Sequence, residues 1–147
     1  MEIQTARFGT ISFDEDSIIS FPRGILGFSD YKKFIILPHK EASPFFWLQS
    51  VEDECLAFVL MNPRLVMPDY RIEIEAEIKQ ELEENGQDPL DLMCIVTVPH
   101  DHPEKMTINL LGPIIINANK KEAVQIVSTT STYSHQHPVI PAENKHA

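Results

Sequence analysis

Pro44-Phe45-Phe46-Trp47-Leu48-Gln49-Ser50-Val51-Glu52-Asp53-Glu54-Cys55-Leu56-Ala57-Phe58-Val59-Leu60-Met61-Asn62-Pro63 sets the fold class. Two apolar runs, Phe46–Ser50 and Leu56–Met61, flank the acidic triplet Glu52-Asp53-Glu54, and a proline fences each outer end. Runs this short, rich in aromatic and β-branched residues and closed by turn formers, read as strands. In a strand Phe45 and Trp47 point one way and Phe46 and Leu48 the other. The run from Cys55 to Met61 is apolar at every position, so both of its faces are expected to be covered.

The same pattern continues outward. Upstream lie Glu2–Phe8, Thr10–Phe13, Ser17–Phe21 and Phe34–Leu37; downstream lie Tyr70–Ile74, Leu92–Val98, Thr107–Leu111, Ile114–Asn117 and Ala123–Ser128. With the first two, these make about eleven runs at a spacing of roughly 8–12 residues, as in a sandwich or barrel. Leu92–Val98 is again nearly all apolar. One helix is expected over Glu77–Asn85, where Ile78 and Leu82 stand four apart and Asn85-Gly86 offers a stop. Asp88-Pro89 then turns the chain, with one more short turn expected near Leu90. Residues 1–133 form the expected domain. From Ser134 to Ala147 the chain is polar and rich in His and Pro, with only Val139 and Ile140 to anchor it, and is expected to be a flexible tail.

At 147 residues the chain suits one domain, and 43% hydrophobic content is enough for a core. No run reaches the roughly 18 apolar residues of a membrane helix, and Met1-Glu2-Ile3-Gln4-Thr5 does not open a signal peptide. A cytoplasmic protein is expected. Cys55 and Cys94 both sit in apolar stretches and read as buried free thiols in a reducing compartment.

The formal net charge is −10, and it is concentrated. Residues 69–91 hold 9 acids and 2 bases, whereas residues 92–147 hold 4 of each. Direct nucleic-acid binding needs a basic footprint, and Arg7, Arg23, Lys32, Lys33 and Lys40 supply at most a small one. An acidic body suits a basic protein partner. Glu73, Glu75 and Glu77 alternate along an extended chain, and Glu81 lies one helical turn beyond Glu77. With Asp69 they form a candidate electrostatic docking site, against the plainer alternative of a solvated face. Phe45 and Trp47, and the proline-fenced loop holding Leu65, Val66 and Met67, are the candidate apolar contacts for a partner.

Catalytic and metal signals are weak. No nucleophile elbow, phosphate loop or dinucleotide fingerprint occurs. His100/His102 and His135/His137 have a spacing that can grip a metal from a strand, but no adjacent ligands complete a site, and solvated loop histidines are the simpler interpretation. No cofactor, metal or catalytic residue is expected. The acidic triplets Asp14-Glu15-Asp16 and Glu52-Asp53-Glu54 read as solvated turns.

Three blocks carry a more specific signal. They are Phe21-Pro22-Arg23-Gly24-Ile25-Leu26-Gly27-Phe28; the quoted Pro44–Asp53 stretch with Leu56-Ala57-Phe58-Val59 and Asn62-Pro63; and Thr107-Ile108-Asn109-Leu110-Leu111-Gly112-Pro113-Ile114-Ile115-Ile116-Asn117 with Gln125 just after. In this order they resemble the flagellar assembly factor FliW family. The resemblance implies a mainly β, single-domain, antiparallel β-barrel-like fold with one short helix and no enzymatic activity. It implies two protein partners: flagellin, held before export, and CsrA, the RNA-binding regulator that represses flagellin translation. The alternative reading is a small β-barrel ligand-binding protein or enzyme with an unrecognised pocket. Gly24, Gly27, Asn109 and Pro113 are expected to be turn and fold determinants, and nothing requires more than a monomer.

Overall fold

The computed structural model describes residues 1–6, 8–39, 43–82, 89–128 and 132–140. Its strands are β1 (Glu2–Thr5), β2 (Gly9–Ser12), β3 (Ile19–Ser20), β4 (Lys33–Pro38), β5 (Phe45–Ser50), β6 (Ala57–Met61), β7 (Asp91–Thr97), β8 (Thr107–Ile108), β9 (Ile114–Asn117), β10 (Glu122–Gln125) and β11 (His137–Pro138). The single helix among the described residues is α1 (Ala76–Leu82). The expected helix end at Asn85-Gly86 and the residue Asp88 lie outside the described residues.

Seven strands close a barrel in the ring order β7-β6-β5-β4-β3-β10-β9 and back to β7. All neighbours are antiparallel except β3 and β10, which meet in parallel at Ser20 and Glu122. The fold class expected from the sequence is therefore observed. β1 and β2 pair only with each other, Glu2 opposite Ser12 and Thr5 opposite Gly9.

Alternation within each strand sorts side chains to the barrel interior or to its outside. Phe34, Leu48, Leu60, Ile114 and Ile116 fill the interior with Phe21 and Ile25. On the outside, Met61, Cys94, Val96 and Ile108 form a second cluster under Val66, Met67 and Tyr70. Ile115, Val124 and Ile126 form a third under α1. Both faces of β6 and β7 are thus covered, as their continuous apolar sequence requires.

The chain from Tyr70 to Leu82 is a belt across these outer faces. Tyr70 joins the second cluster, Ile72 touches both, and Ile74, Ile78 and Leu82 join the third. Tyr70–Ile74 has the period of a strand but makes no strand pairing. The isoleucines seat it on the barrel through side chains alone. Burying Leu82 contributes about 2 kcal/mol on the usual area scale.

Two further expectations change, and a third falls partly outside the described residues. Among the described residues the short helical turns are at Glu15–Ser17, Pro63–Leu65 and Pro103–Lys105; the turn expected near Leu90 borders residues 83–88, which lie outside them. Residues 134–140, placed in the tail by their polarity, lie on the barrel: β11 pairs with β8, the Leu110 N–H donates to the Ser134 carbonyl at 2.9 Å, and Val139 packs on the second cluster. Residues 141–147 lie outside the described residues. Cys55 is exposed, because its turn between β5 and β6 faces out, while Cys94 is buried. Burial pushes the Cys94 thiol up to about 12.

A thiol reagent is therefore expected to modify Cys55 alone in the native protein and both cysteines in urea, as counted by mass spectrometry. Burial also raises the Tyr70 hydroxyl. Both groups release protons more readily when unfolded. The stability these two groups contribute is therefore fully present below about pH 9 and is lost as pH rises toward 12 and beyond. A falling urea midpoint across that window is the expected result.

Candidate functional site

The three sequence blocks are turn chemistry. In the first, Gly24 and Gly27 take positive φ, +71° and +85°. In the second, the buried Gln49 amide donates to the Ser50 and Leu56 carbonyls at 3.0 and 3.1 Å, and the Ser50 hydroxyl accepts from the Glu52 and Asp53 N–H groups. The Glu52 carboxylate accepts from the Lys32 and Lys33 N–H groups at 2.7 and 2.9 Å, and Asp53 accepts from the Cys55 N–H. That triplet is thus structural rather than merely solvated. In the third, Asn109 accepts from the Leu111 and Gly112 N–H groups, both at 3.0 Å. Gln125 joins the first block to the third: its amide donates to the Gly112 carbonyl and its oxygen accepts from the Leu26 N–H, both at 2.9 Å.

Two exposed surfaces remain. The first is acidic. Asp69, Glu73, Glu75, Glu77 and Glu81 are all exposed along the belt, because Ile72, Ile74 and Ile78 take the positions that face the barrel. Among the described residues only Glu81 of these five makes an ion pair, at 2.6 Å to Arg23. That hydrogen bond and charge raise the Arg23 guanidinium further, with Glu77 and Glu75 adding to the effect. The end of α1 is tethered to the β9–β10 turn. The buried Asn117 amide donates to the Leu82 carbonyl, and the Lys120 ammonium donates to the Glu81 carbonyl. Orphan carbonyls at a helix C-terminus favour such cationic and amide donors.

Asn117→Ala removes that donor from the Leu82 carbonyl, a loss of about 1–3 kcal/mol. The expected result is a lower urea midpoint together with faster amide exchange confined to residues 76–82.

The second surface is an open apolar groove of about 720 Å³ on the outside of β5, β6 and β7. Phe45, Trp47, Val59, Val98 and Met106 line it, and the His39 ring stands 6.2 Å from Phe45 and 6.0 Å from Trp47. Of the candidate apolar contacts, the structure brings Phe45 and Trp47 here. Leu65, Val66 and Met67 do not line it: Val66 and Met67 pack on the second cluster, which Phe45, Val59 and Met106 also touch, and Leu65 stands out 61% exposed. Val98 and Met106 carried no signal in the sequence, because the groove forms only when β7 and the chain after it come alongside β5. The belt begins at Tyr70 on the second cluster, which Phe45, Val59 and Met106 of the groove also touch, and ends with α1 over β9 and β10, so it runs round the barrel away from the groove.

His100 and His102 are exposed and lie beside Asp101 and Glu104, with His102 Nδ1 3.1 Å from the Glu104 carboxylate. No group of three or more His, Cys, Asp or Glu that could hold a metal occurs among the described residues. No helix among them is long and apolar enough to cross a membrane.

Comparison with known proteins agrees with the three blocks. The family profile described as FliW protein matches residues 2–139. The flagellar assembly factor FliW of Natranaerobius thermophilus is 38% identical over 95% of this chain and 92% of its own. That of Alkaliphilus metalliredigens is 42% identical over 95% and 86%. A crystal structure of a flagellar assembly factor FliW superposes with a TM-score of 0.86 at 33% identity, covering 96% of this chain and 98% of the other. With the profile spanning nearly the whole chain and the barrel shared, this chain belongs to the FliW family of flagellar assembly factors.

Proposed function

We propose that this protein is a cytoplasmic, non-enzymatic binding module for two partners: flagellin, which it holds as a chaperone before export, and CsrA, which it binds when free of flagellin and thereby relieves repression of flagellin mRNA. The observation that carries the reading is the row of exposed carboxylates from Asp69 to Glu81, kept in fixed register by the isoleucines beneath. A protein that holds RNA presents basic surface, and an acidic partner associates with it quickly under electrostatic steering. Once docked, the same carboxylates repel RNA phosphates, so repression ends without occupation of every RNA contact. Flagellin offers amphipathic helical segments, and an apolar groove with Phe45 and Trp47 suits such a segment.

The alternative, a small molecule inside the barrel, loses its space to Leu48, Leu60 and Ile114, which are fully buried there. The test is a calorimetric titration with purified CsrA, alone and with flagellin already bound. Tight binding that flagellin abolishes supports the switch. Binding that flagellin leaves unchanged removes the switch, and no binding to either protein removes the proposal.

A further inference from the structure

The segment from Thr132 to Ile140 touches both surfaces. At one end Tyr133 holds the head of the acidic belt. Its hydroxyl accepts from the Arg71 N–H at 2.8 Å, and its ring lies 4.6 Å from that of Tyr70, tilted by 39°. At the other end Val139 holds the wall of the groove: its N–H donates at 3.1 Å to the carbonyl of Met106, a lining residue. Between them the Ser134 carbonyl accepts from the Leu110 N–H, and His137 and Pro138 stand opposite Ile108 and Thr107.

The hold is superficial. Every residue from Thr132 to Ile140 is exposed or half-buried. The apolar anchors Tyr133 and Val139 rest on the second cluster, and Phe45, Val59 and Met106 divide their surface between that cluster and the groove. An apolar side chain entering the groove there competes with Val139 for the same three residues. Surface segments with few buried contacts open at the low end of a protein's stability range.

We infer that residues 132–140 are a releasable strap that carries the exclusion between the two partners: docked, it orders the head of the belt for a basic partner, and an apolar segment filling the groove releases it. This rests on the proposed assignment of groove and belt as docking surfaces. A belt already ordered at Arg71 loses less freedom on binding, so the basic partner favours the docked strap. The apolar segment favours the released strap, because Val139 then gives up its place. Two ligands that favour opposite states of one element weaken each other's binding by equal factors, and neither has to touch the other.

Thr107 and Pro138 face each other across β8 and β11, which supplies the test. In a Thr107→Cys/Pro138→Cys variant carrying Cys55→Ser, a disulfide holds the strap docked and reduction frees it. Flagellin and CsrA, the probes used above, are titrated into both forms. The oxidised form is expected to bind flagellin at least about tenfold more weakly than the reduced form, and CsrA equally well. Tyr133→Phe keeps the ring and loses the acceptor for the Arg71 N–H, so it is expected to bind flagellin about two- to tenfold tighter. In the wild-type chain, flagellin is expected to speed amide exchange at Arg71 and Leu110, whereas CsrA leaves both protected. Equal flagellin affinity in the oxidised and reduced forms, or unchanged exchange at Arg71 and Leu110, overturns the strap and leaves direct overlap of the partners as the cause of exclusion. If the reduced form binds neither protein, the assignment of the two surfaces fails and the strap with it.

Discussion

Gly24→Ala is expected to lower the stability of this protein by on the order of 3 kcal/mol. Two independent costs add. The residue has φ +71°, where a Cβ costs roughly 1–2 kcal/mol. That Cβ would also lie 2.5 Å from Ser29 Cα and 2.7 Å from the Ser29 carbonyl oxygen. These are backbone atoms, so no rotamer change relieves the clash, and the turn must open. Overpacking of this kind costs about 1–3 kcal/mol. The turn matters because the residues it directs inward, Phe21 and Ile25, are 0% and 1% exposed. A 3 kcal/mol loss cuts the folded-to-unfolded ratio by roughly 150-fold and lowers Tm by about 10 °C in a chain of this size. Gly27→Ala is the control: φ is +85° but nothing lies within 4 Å of its Cβ, so only the conformational cost remains. Urea titrations of both variants separate the two costs. Equal losses would mean that the clash with Ser29 is relieved by movement of the turn.

Replacing Glu73, Glu75 and Glu77 together with lysine is expected to slow association with CsrA by on the order of 10–100-fold at low salt. Each reversal adds two units, so the formal net charge moves from −10 to −4. The side chains are exposed, and the isoleucines between them still seat the belt, so the fold is expected to survive. The Arg23–Glu81 pair keeps its partners. Because exposed charges are screened, wild type and variant should converge near 1 M salt, where the Debye length is about 3 Å. An equal reversal at Asp14, Glu15 and Asp16 tests whether net charge alone suffices. Stopped-flow association rates measured across a salt series decide the matter. A variant with wild-type rates and salt slope would remove the acidic belt from the interface, and matching losses in both triple variants would make the effect global rather than local.

The barrel strands were legible because they are short apolar runs closed by turn formers, alternating in β5, with Phe46 and Leu48 inward and Phe45 and Trp47 outward, and covered on both faces in β6 and β7. The same logic misassigned Tyr70–Ile74. A period of two reports an extended chain with one covered face, and it is silent on whether the neighbour offers backbone hydrogen bonds or only side chains. β11 failed in the opposite direction. His137-Pro138 has no apolar pattern, and only its position against Thr107 and Ile108 makes it a strand. The acidic belt was visible because charge is local in sequence. The groove was half visible: Phe45 and Trp47 share a strand, whereas Val98 and Met106 arrive from distant segments. The motif blocks marked the fold more than a surface, since Gly24, Gln49, Asn109 and Gln125 hold turns together.

β11 has a consequence for how this molecule behaves in a crowded solution. β11 ends the row of strands and covers β8, which without it would be a short strand with free backbone groups, a template on which other chains can align. The Ser134 carbonyl, the β11 pairing and the Val139 N–H bonded to the Met106 carbonyl occupy that margin, and the Tyr133 ring stacks 4.6 Å from Tyr70 behind it. A chain cut before Tyr133 would keep its closed barrel yet present a bare, adhesive border with apolar surface at its back. Residues 134–140 therefore serve colloidal solubility, keeping the β8 margin of one copy from pairing with that of another.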